Sequence, residues 1–194
     1  MSAGPSLARP NPDSLATFVL DLEDYRRRWP GESDVVDLFA ALLHDPADPF
    51  VRARLAGHFT ASAWLVDGGG TRLLMTHHRK LGRWLQLGGH ADGDRDLARV
   101  ALREAGEESG LSGLRVMSGI FDLDRHLIPE HKGVPAHWHY DVRYIVCTTR
   151  EDFIVSDESH ALAWRDIETL VADESVDPSI RRMAGKWLKG VTAR

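Results

Sequence analysis

The sequence predicts an α/β protein in which an N-terminal helical region precedes a domain of strands and helices. In residues 14–43 the apolar residues recur at intervals of three and four, which is the period of amphipathic helices. From residue 58 they occur instead in short runs and alternating stretches bounded by glycine-rich turns, as is typical of strands. Among these strands, residues 88–111 combine a loop rich in glycine and aspartate with a helical stretch that carries three glutamates.

The N-terminal region is predicted to contain helices after a loose tail over residues 1–13. The first helix begins at Ser14 and ends before Pro30, where the sequence Pro-Gly stops the pattern. Its apolar stripe consists of Leu15, Phe18, Val19, Leu22 and Tyr25.

A second helix follows, with Ser33 or Asp34 as its predicted cap, and residues 50–55 are predicted to add a short third helix. We therefore divide the chain into an N-terminal tail and helical appendage, residues 1–56, and a main domain, residues 57–194. Packing on the main domain, covering a substrate and forming a homodimer are all roles compatible with the appendage.

The main domain begins with a predicted hairpin, in which residues 59–66 and 71–76 are strands joined by a glycine-rich turn. Further elements are predicted downstream. They are strands at residues 114–124 and 136–148, a strand ending near Val155, and helices at residues 167–172 and 179–188.

The strand at residues 136–148 has one face that is unusually rich in ligand and proton-transfer groups. Alternation places the aromatic and aliphatic side chains on one face; the other carries His137, His139, Asp141 and Arg143. His90, further up the chain, adds another imidazole. Such histidines ligate a metal, bind phosphate or sit hydrogen-bonded on a half-exposed sheet, and the sequence leaves all three readings open.

The central segment reads GGHADGDRDLARVALREAGEESGL and is predicted to be a loop followed by a helix. Gly88, Gly89 and Gly93 are predicted to break the preceding strand. The aspartates among them supply a cap for a helix that begins at residues 94–96, and Gly110 is its predicted end.

Glu104, Glu107 and Glu108 have the spacing i, i+3, i+4, so a helix projects their carboxylates from one face. Repulsion between such neighbours costs a few tenths of a kcal/mol per pair, roughly, unless a cation lies between them. A hard divalent cation is the natural partner. Arg103, one turn before Glu107, is predicted to orient that carboxylate.

The composition indicates one substantial core, or one domain with an appendage, because the chain has 194 residues and is 43% hydrophobic. A net charge of −5 argues against a nucleic-acid polymer as partner, since that requires a basic face. The single cysteine, Cys147, excludes an intramolecular disulfide. No run approaches the roughly 18 apolar residues of a membrane span, so we expect a cytoplasmic protein with no membrane partner.

The central segment resembles the signature of the Nudix hydrolases, which runs Gly, five residues, Glu, seven residues, then Arg-Glu-hydrophobic-x-Glu-Glu-x-Gly-hydrophobic. Gly89 supplies the glycine, and residues 103–111 match the second half at every fixed position. One position differs, because the first glutamate of the family falls on Arg95. The resemblance implies the Nudix fold, a mixed β-sheet sandwiched between α-helices, over about residues 58–188, with a further strand at 160–164.

The resemblance also implies a reaction, in which water attacks phosphorus and splits a nucleoside diphosphate linked to another moiety X. Glu104, Glu107 and Glu108, together with the backbone carbonyl of Gly89, would hold one to three Mg²⁺ or Mn²⁺ ions. The same glutamates and Arg103 are the implied catalytic residues.

The general base is left open between two positions. Many relatives carry a further acidic residue on a mobile loop, and Glu158, with Asp157 as second choice, lies in the corresponding stretch. Either Glu158 or Glu104 would take the proton of the attacking water. An ordinary exposed loop explains Glu158 and Asp157 equally well.

Substrate binding is assigned to charged and imidazole side chains near the signature. Arg79 and Lys80 lie in a basic loop that the resemblance places near the substrate, where they would hold phosphate or a terminal group. A solvated loop tip explains them equally well. His90, His139 and Asp141 would line the pocket. The sequence does not identify X, and nucleotide sugars, dinucleotides, ADP-ribose and oxidised nucleotides all stay open.

Three alternatives compete with this interpretation. An ordinary acidic surface helix explains the glutamates singly, but not their coincidence with Arg103 and Gly110 at the family spacing. A non-catalytic Nudix-like domain that senses a nucleotide is compatible with the change at Arg95. Isopentenyl diphosphate isomerases share a Gly-His pair, here Gly89-His90, but they rely on a cysteine near that pair, which this chain lacks.

Overall fold

A mixed β-sheet forms the centre of the structure, which is a computed structural model describing residues 14–79, 81–131, 133–157 and 159–192. Within these ranges the sheet has eight strands: β1 (Gly57–Val66), β2 (Arg72–His78), β3 (Arg83–Leu85), β4 (Leu87–His90), β5 (Arg115–Val116), β6 (Asp122–Ile128), β7 (His137–Cys147) and β8 (Ser159–Asp166). The helices are α1 (Ser14–Arg28), α2 (Ser33–Leu43), α3 (Leu97–Ser109), α4 (Ile167–Leu170) and α5 (Pro178–Thr192). None of the described helices is long and apolar enough to cross a membrane.

Strand β1 lies in the middle of the sheet and sets its register. It runs parallel to β7 over its whole length, from Gly57 opposite Trp138 to Val66 opposite Cys147. Its other edge pairs antiparallel with β4 and, at Val66, with β2. Strands β3 and β8 extend the sheet from β2, and β5 and β6 pair with β7. The predicted hairpin and the mixed α/β class are confirmed.

One face of the sheet is covered by α1, α2 and α3, which share a single hydrophobic core with β1 and β7. Phe59 of β1 is surrounded by Phe18 of α1, Phe39 of α2 and Phe50 of the segment before β1. The ring centroids of these three lie 5.4, 6.0 and 5.0 Å from that of Phe59. All four side chains are buried, so the N-terminal helices complete the core on this face.

The opposite face is covered in part by α4 and α5, whose apolar side chains pack on Trp64 and Val66 of β1. Ion pairs also tie α5 to the sheet. The fully buried Asp122 of β6 accepts hydrogen bonds from Arg182 at 2.7 Å and Lys186 at 2.7 Å, and Lys186 also donates to Glu32 at 2.8 Å. Removing one partner of such a buried pair leaves an uncompensated charge, which costs about 3–5 kcal/mol.

Two predictions for the N-terminal region are wrong. Residues 50–55 form turns instead of a third helix, and the Arg54 backbone N–H closes a single turn by donating to the Val51 carbonyl at 3.1 Å. Ser33 and Asp34 do not cap α2, since a short 3-10 helix, Pro30–Glu32, leads directly into it. The hydroxyl of Ser33 donates instead to the carbonyl of Pro30 at 2.8 Å.

Two strand predictions are also wrong. The stretch 114–124 is interrupted between β5 and β6, because Gly119 has a φ of 82° that ends the extended backbone. No strand ends near Val155; residues 150–156 have no regular structure, and the Ile154 backbone N–H donates to the Ser109 carbonyl at the end of α3.

Candidate active site

Helix α3 begins one residue after the predicted range, 94–96, and ends where the sequence predicts. The Asp96 side chain caps it by accepting the backbone N–H of Arg99 at 3.0 Å. Gly110 ends it with a φ of 68°, a conformation that glycine adopts without a steric penalty. The buried stripe of α3 packs against the sheet; it includes Leu97, Val100, Ala101, Ala105 and Glu108.

The two glycines of the signature loop lie within strand β4, contrary to the prediction that they break a strand. Gly88 pairs with Ser62 and Gly89 with Ala61 of β1. A Cβ at Gly89 would lie 2.5 Å from Cδ of Glu104, and a Cβ at Gly88 would lie 2.5 Å from Oγ of Ser62. The glycines are explained by the close approach of α3 and β1 to β4.

The three signature glutamates have different surroundings. Glu108 is 6% exposed and accepts the backbone N–H of Gly88 at 2.8 Å. The side chain of Glu104 is 18% exposed and lies against Gly89. Glu107 is exposed to solvent. Two of the three carboxylates thus meet the glycine strand.

Arg103 pairs with Glu104, and its predicted pairing with Glu107 is wrong. Its Nη2 donates to Oε1 of Glu104 at 2.7 Å and to the carbonyl of His90 at 3.3 Å. These acceptors lie toward β4, whereas the carboxylate of Glu107 is turned to solvent. Burial alone would lower the pKa of Arg103, but the hydrogen bond and charge of Glu104 raise it above its usual range.

A cluster of imidazoles lies on the face of the sheet opposite α3, because His90 directly follows Gly89 and neighbouring strand residues point to opposite faces. The parallel register of β1 and β7 aligns His58 with His139. The ring centroids of His58, His90 and His139 are 5.0 to 5.2 Å apart. His137 stacks on His58 at 5.2 Å. The structure therefore brings together imidazoles that the sequence presents far apart.

The imidazoles of His58, His90 and His139 are neutral at pH 7. Burial, reinforced by the surrounding imidazoles, lowers the pKa of His139 to about 2. Burial and the nearby charge of Arg52 lower the pKa of His90 to about 4, and burial also lowers that of His58. Each neutral ring keeps one unprotonated nitrogen that accepts a hydrogen bond or binds a metal.

Asp141 was predicted to contact substrate, but its carboxylate is 2% exposed and is used within the sheet. It accepts hydrogen bonds from Thr60 at 3.0 Å, Ser62 at 2.8 Å, Gln86 at 3.3 Å and Arg143 at 2.8 Å. Four donors satisfy the charge of a buried carboxylate. Asp141 therefore joins β1, β7 and the segment before β4, and is not open to a ligand.

The remaining predicted site residues lie around β2 and β8. Arg79 is exposed, and its Nη2 donates to the Ser159 carbonyl at 3.2 Å. Asp157 is exposed in a turn. Lys80 and Glu158, like the predicted tail at residues 1–13, lie outside the described residues.

His58 is the site residue that the sequence did not single out. A signal was present, since His58, Thr60 and Ser62 place polar side chains at every second position of β1. That pattern matches the polar face of residues 137–143. What the sequence lacked was the register that sets these two faces side by side.

The fold and the arrangement of α3 against β4 agree with a known family. The model of the NUDIX domain matches residues 57–185. The chain belongs to the Nudix family. The Nudix fold and the class of Nudix-type hydrolase are thereby confirmed, and such enzymes generally cleave nucleoside diphosphates linked to another moiety X. Helices α1 and α2 lie outside the matched residues.

Several solved structures are similar to this Nudix chain. A NUDIX-family hydrolase from Clostridium perfringens is 25% identical, with a TM-score of 0.54 over 69% of this chain and 97% of that one. A MutT protein from Methanosarcina mazei Go1 is 16% identical, with a TM-score of 0.58 over 76% and 99% of the two chains. An Ap4A hydrolase from C. elegans, in a binary complex, is 16% identical, with a TM-score of 0.53 over 70% and 98%. No curated protein matches the chain significantly.

The glutamates of α3 fit the divalent cation that Nudix enzymes usually need. Glu104, Glu107 and Glu108 supply the oxygen donors that Mg²⁺ and Mn²⁺ prefer. The missing side chain of Gly89 leaves room for the Glu104 carboxylate beside the backbone of β4.

Proposed function

We propose that this Nudix protein is a metal-dependent pyrophosphohydrolase that splits a nucleoside diphosphate linked to another moiety X, by attack of water on phosphorus. The observation that carries the proposal is the contact between the signature helix and the glycine strand. Glu104 lies against Gly89, and Glu108 accepts the N–H of Gly88. This contact sets carboxylates of α3 beside the backbone of β4, as a site for oxygen-ligated cations requires.

The signature residues would have different roles in the reaction. Glu104, Glu107 and Glu108, with the backbone carbonyl of Gly89, would hold one to three Mg²⁺ or Mn²⁺ ions, which when bound neutralise phosphate oxygens and lower the pKa of water. Arg103 would act on Glu104 by orienting that carboxylate, to which it donates at 2.7 Å.

The proton of the attacking water would go to Glu104 or to Glu158. Glu104 is supported by its partial exposure and its ordered position beside Arg103. Glu158 is supported by the resemblance of its stretch to the acidic loop of relatives. Comparing the pH dependence of turnover in Glu104→Gln and Glu158→Gln distinguishes them, because loss of the base removes the ascending limb that its pKa creates.

The substrate would be small and phosphorylated, since a chain with a net charge of −5 offers no general attraction to a nucleic-acid polymer. Arg79 and Lys80 would contact its phosphates, because guanidinium and ammonium groups are suited to this role and Arg79 is exposed. His90 and His139 are half-buried on the other side of β4, away from Glu104, and their contact with substrate stays a prediction. One similar structure is named an Ap4A hydrolase, so dinucleoside polyphosphates belong among the candidates.

Two other functions compete with hydrolysis. A nucleotide sensor is favoured by Arg95, which replaces the first glutamate of the signature. An isomerase of the isopentenyl diphosphate type would need a cysteine near Gly89 and His90. Cys147, the single cysteine, pairs with Val66 at the end of β1 remote from His90, which argues against that chemistry.

The deciding experiment is an activity screen with Mg²⁺ and Mn²⁺ over nucleoside diphosphate derivatives, namely nucleotide sugars, dinucleoside polyphosphates, ADP-ribose and oxidised nucleotides. Products are identified by mass, and cleavage in ¹⁸O-labelled water locates the attacked phosphorus. Cleavage of one compound with the label in a phosphate product supports the hydrolase. Binding of nucleotide without turnover would make the protein a sensor.

A further inference from the structure

The side chains of His58, His90 and His139 form a group of potential metal ligands separate from the carboxylates of α3. Each offers one ring nitrogen, and these three nitrogens lie within 4.8 Å of one another. In the described part of the chain, this is the one such group of three or more histidine, cysteine or acidic side chains. The three come from adjacent strands of one sheet, so their backbone positions are fixed before any ligand arrives.

Within this group of histidines, Nε2 of His58 and Nε2 of His139 are buried without a hydrogen-bond partner in the described structure. The protonation of His58 follows from the hydrogen bond of its other nitrogen, Nδ1. Nδ1 lies 3.2 Å from the backbone carbonyl of Arg54, which can only accept, so Nδ1 carries the proton. Nε2 therefore has a bare lone pair, the arrangement found in metal-ligating histidines.

An unpaired buried polar atom costs about 1–3 kcal/mol, and two in one cluster require an explanation. A bound cation would explain both atoms, because it accepts lone pairs from several imidazoles at once. The donor set also selects the cation. Three nitrogens and no carboxylate suit a borderline transition ion, whereas Mg²⁺ and Ca²⁺ require oxygen ligands.

We propose that His58, His90 and His139 bind a Zn²⁺ ion through three imidazoles, with the fourth position of the tetrahedron open to water or another oxygen ligand. Sites with three protein ligands and one open position are typical of zinc that takes part in chemistry or ligand binding. His90 and His139 are half-buried, whereas His58 is buried. Neighbouring groups support the site. His137 stacks on His58, and its Nδ1 donates to the Pro135 carbonyl at 2.8 Å.

This site goes beyond the proposed hydrolysis and does not depend on it. Gly89 faces Glu104 on α3, whereas the next residue, His90, points to the other face of the sheet. The two metal sites would therefore lie on either side of β4 and differ in ligand chemistry. Zn²⁺ binding should persist in Glu107→Gln, which is expected to disable hydrolysis.

The test uses the full chain without a polyhistidine tag, stripped of metal by a chelator. Zn²⁺ is titrated in competition with a chromophoric chelator, and Co²⁺ is added separately to record the visible absorption of tetrahedral cobalt. We expect one ion per chain, no displacement by excess Mg²⁺, and a tetrahedral Co²⁺ spectrum. Binding of less than a stoichiometric amount to the folded wild type would overturn the proposal.

The variants His90→Ala and His139→Ala should weaken Zn²⁺ binding by about 100-fold or more, beyond the loss typical of outer-shell partners. His160→Ala is the matched control. It removes an exposed imidazole that lies 5.6 Å from His77 on β2, away from the cluster, and should bind Zn²⁺ as the wild type does. Circular dichroism of the metal-free variants verifies folding, and His90→Ala carries the test if His139→Ala does not fold. Equal Zn²⁺ affinity in folded His90→Ala and wild type would refute the site.

Discussion

Arg95 and Asp48 form an ion pair between the signature loop and the N-terminal region, with Nη2 and Oδ2 3.3 Å apart. The Arg95 guanidinium also lies 5.3 Å from the centre of the Phe50 ring. Beside it, the backbone N–H of Gly93 donates to the Phe50 carbonyl at 2.7 Å. The position at which the sequence departs from the Nudix signature is thus one of those at which the loop meets a segment outside the matched domain.

Replacing Arg95 by glutamate, the residue of the family signature, should destabilise the protein slightly. The variant would set two carboxylates against each other, but both side chains are about 40% exposed, so the effect should stay below about 1 kcal/mol. Arg95→Gln, which only removes the pair, should lie between wild type and Arg95→Glu in thermal unfolding. High salt should reduce the differences in thermal stability among the wild type and the two variants, because it screens exposed charges. A more stable Arg95→Glu would show that Asp48 does not govern this position.

Glu107→Gln should abolish most turnover while leaving stability nearly unchanged. The carboxylate is exposed, so its loss barely alters packing, but a direct metal ligand should matter more than the outer-shell partners that cost about 10–100-fold. Activity against the substrate found in the screen and thermal unfolding measure the two effects. Glu168→Gln, an exposed glutamate on α4, is the control and should keep full activity. Turnover near wild type in Glu107→Gln would remove α3 from the mechanism.

Gly89→Ala should reduce both stability and activity, because its Cβ would lie 2.5 Å from the Glu104 carboxyl group and force it to move. Overpacking of this kind costs about 1–3 kcal/mol. Gly185→Ala on α5 makes the same chemical change where no atom lies within 4 Å. It should raise the free energy of unfolding by about 0.5–1 kcal/mol, as expected for alanine in a helix. Denaturant unfolding of the two variants should therefore give opposite signs.

The sequence predicted a structural feature correctly where the residues that cause it lie close together in the chain. Helix α3 was predicted nearly to the residue, because Asp96 and Gly110 act within one turn of its ends. Gly88 and Gly89 were wrongly predicted to lie in a loop. They are glycines because Ser62 of β1 and Glu104 of α3 leave no room for a Cβ, and the local sequence does not show these neighbours.

The histidine cluster and the partner of Arg103 depended on longer-range contacts. His58 meets His139 only through the parallel register of β1 and β7, and no local pattern specifies that pairing. Arg103 was expected to turn along its helix toward Glu107. The carbonyl of His90, on another element, adds an acceptor near Glu104 and explains its actual direction.

The metal-free protein should lose stability as the pH falls from about 6.5 toward 4. The pKa of His90 is about 4 in the fold, below the value of about 6.5 in an unfolded chain, and that of His139 is lower still. As the pH falls, the unfolded chain therefore binds protons at a higher pH than the folded protein does. The contribution of these neutral imidazoles to the free energy of unfolding is complete above about pH 6.5 and decreases below it. The slope should reach at most about 1.4 kcal/mol per pH unit for each imidazole.

Denaturant unfolding at pH 7, 6 and 5 in a chelator measures this slope. His90→Gln should flatten the slope of stability against pH, and His160→Gln, which changes an exposed imidazole outside the cluster, is the control that should not. Burial would raise the pKa of Asp124, but His126, Arg143 and Arg182 hold it below its usual range. Asp124 should therefore affect the pH dependence of stability only at more acidic pH. A stability that is constant between pH 7 and 5 would contradict neutral imidazoles in the fold.

Phe39→Ala should destabilise the whole protein by about 3–5 kcal/mol, because its ring packs on Phe59 of β1 and on Tyr140 of β7. Val19→Ala on α1 removes a side chain that is 46% exposed and should change stability by less than about 0.5 kcal/mol. Denaturant unfolding followed by tryptophan fluorescence compares the two. By the same reasoning, residues 57–194 alone should be insoluble, since deletion of residues 1–56 exposes Phe59. A soluble, cooperatively folding fragment would instead support a separable appendage.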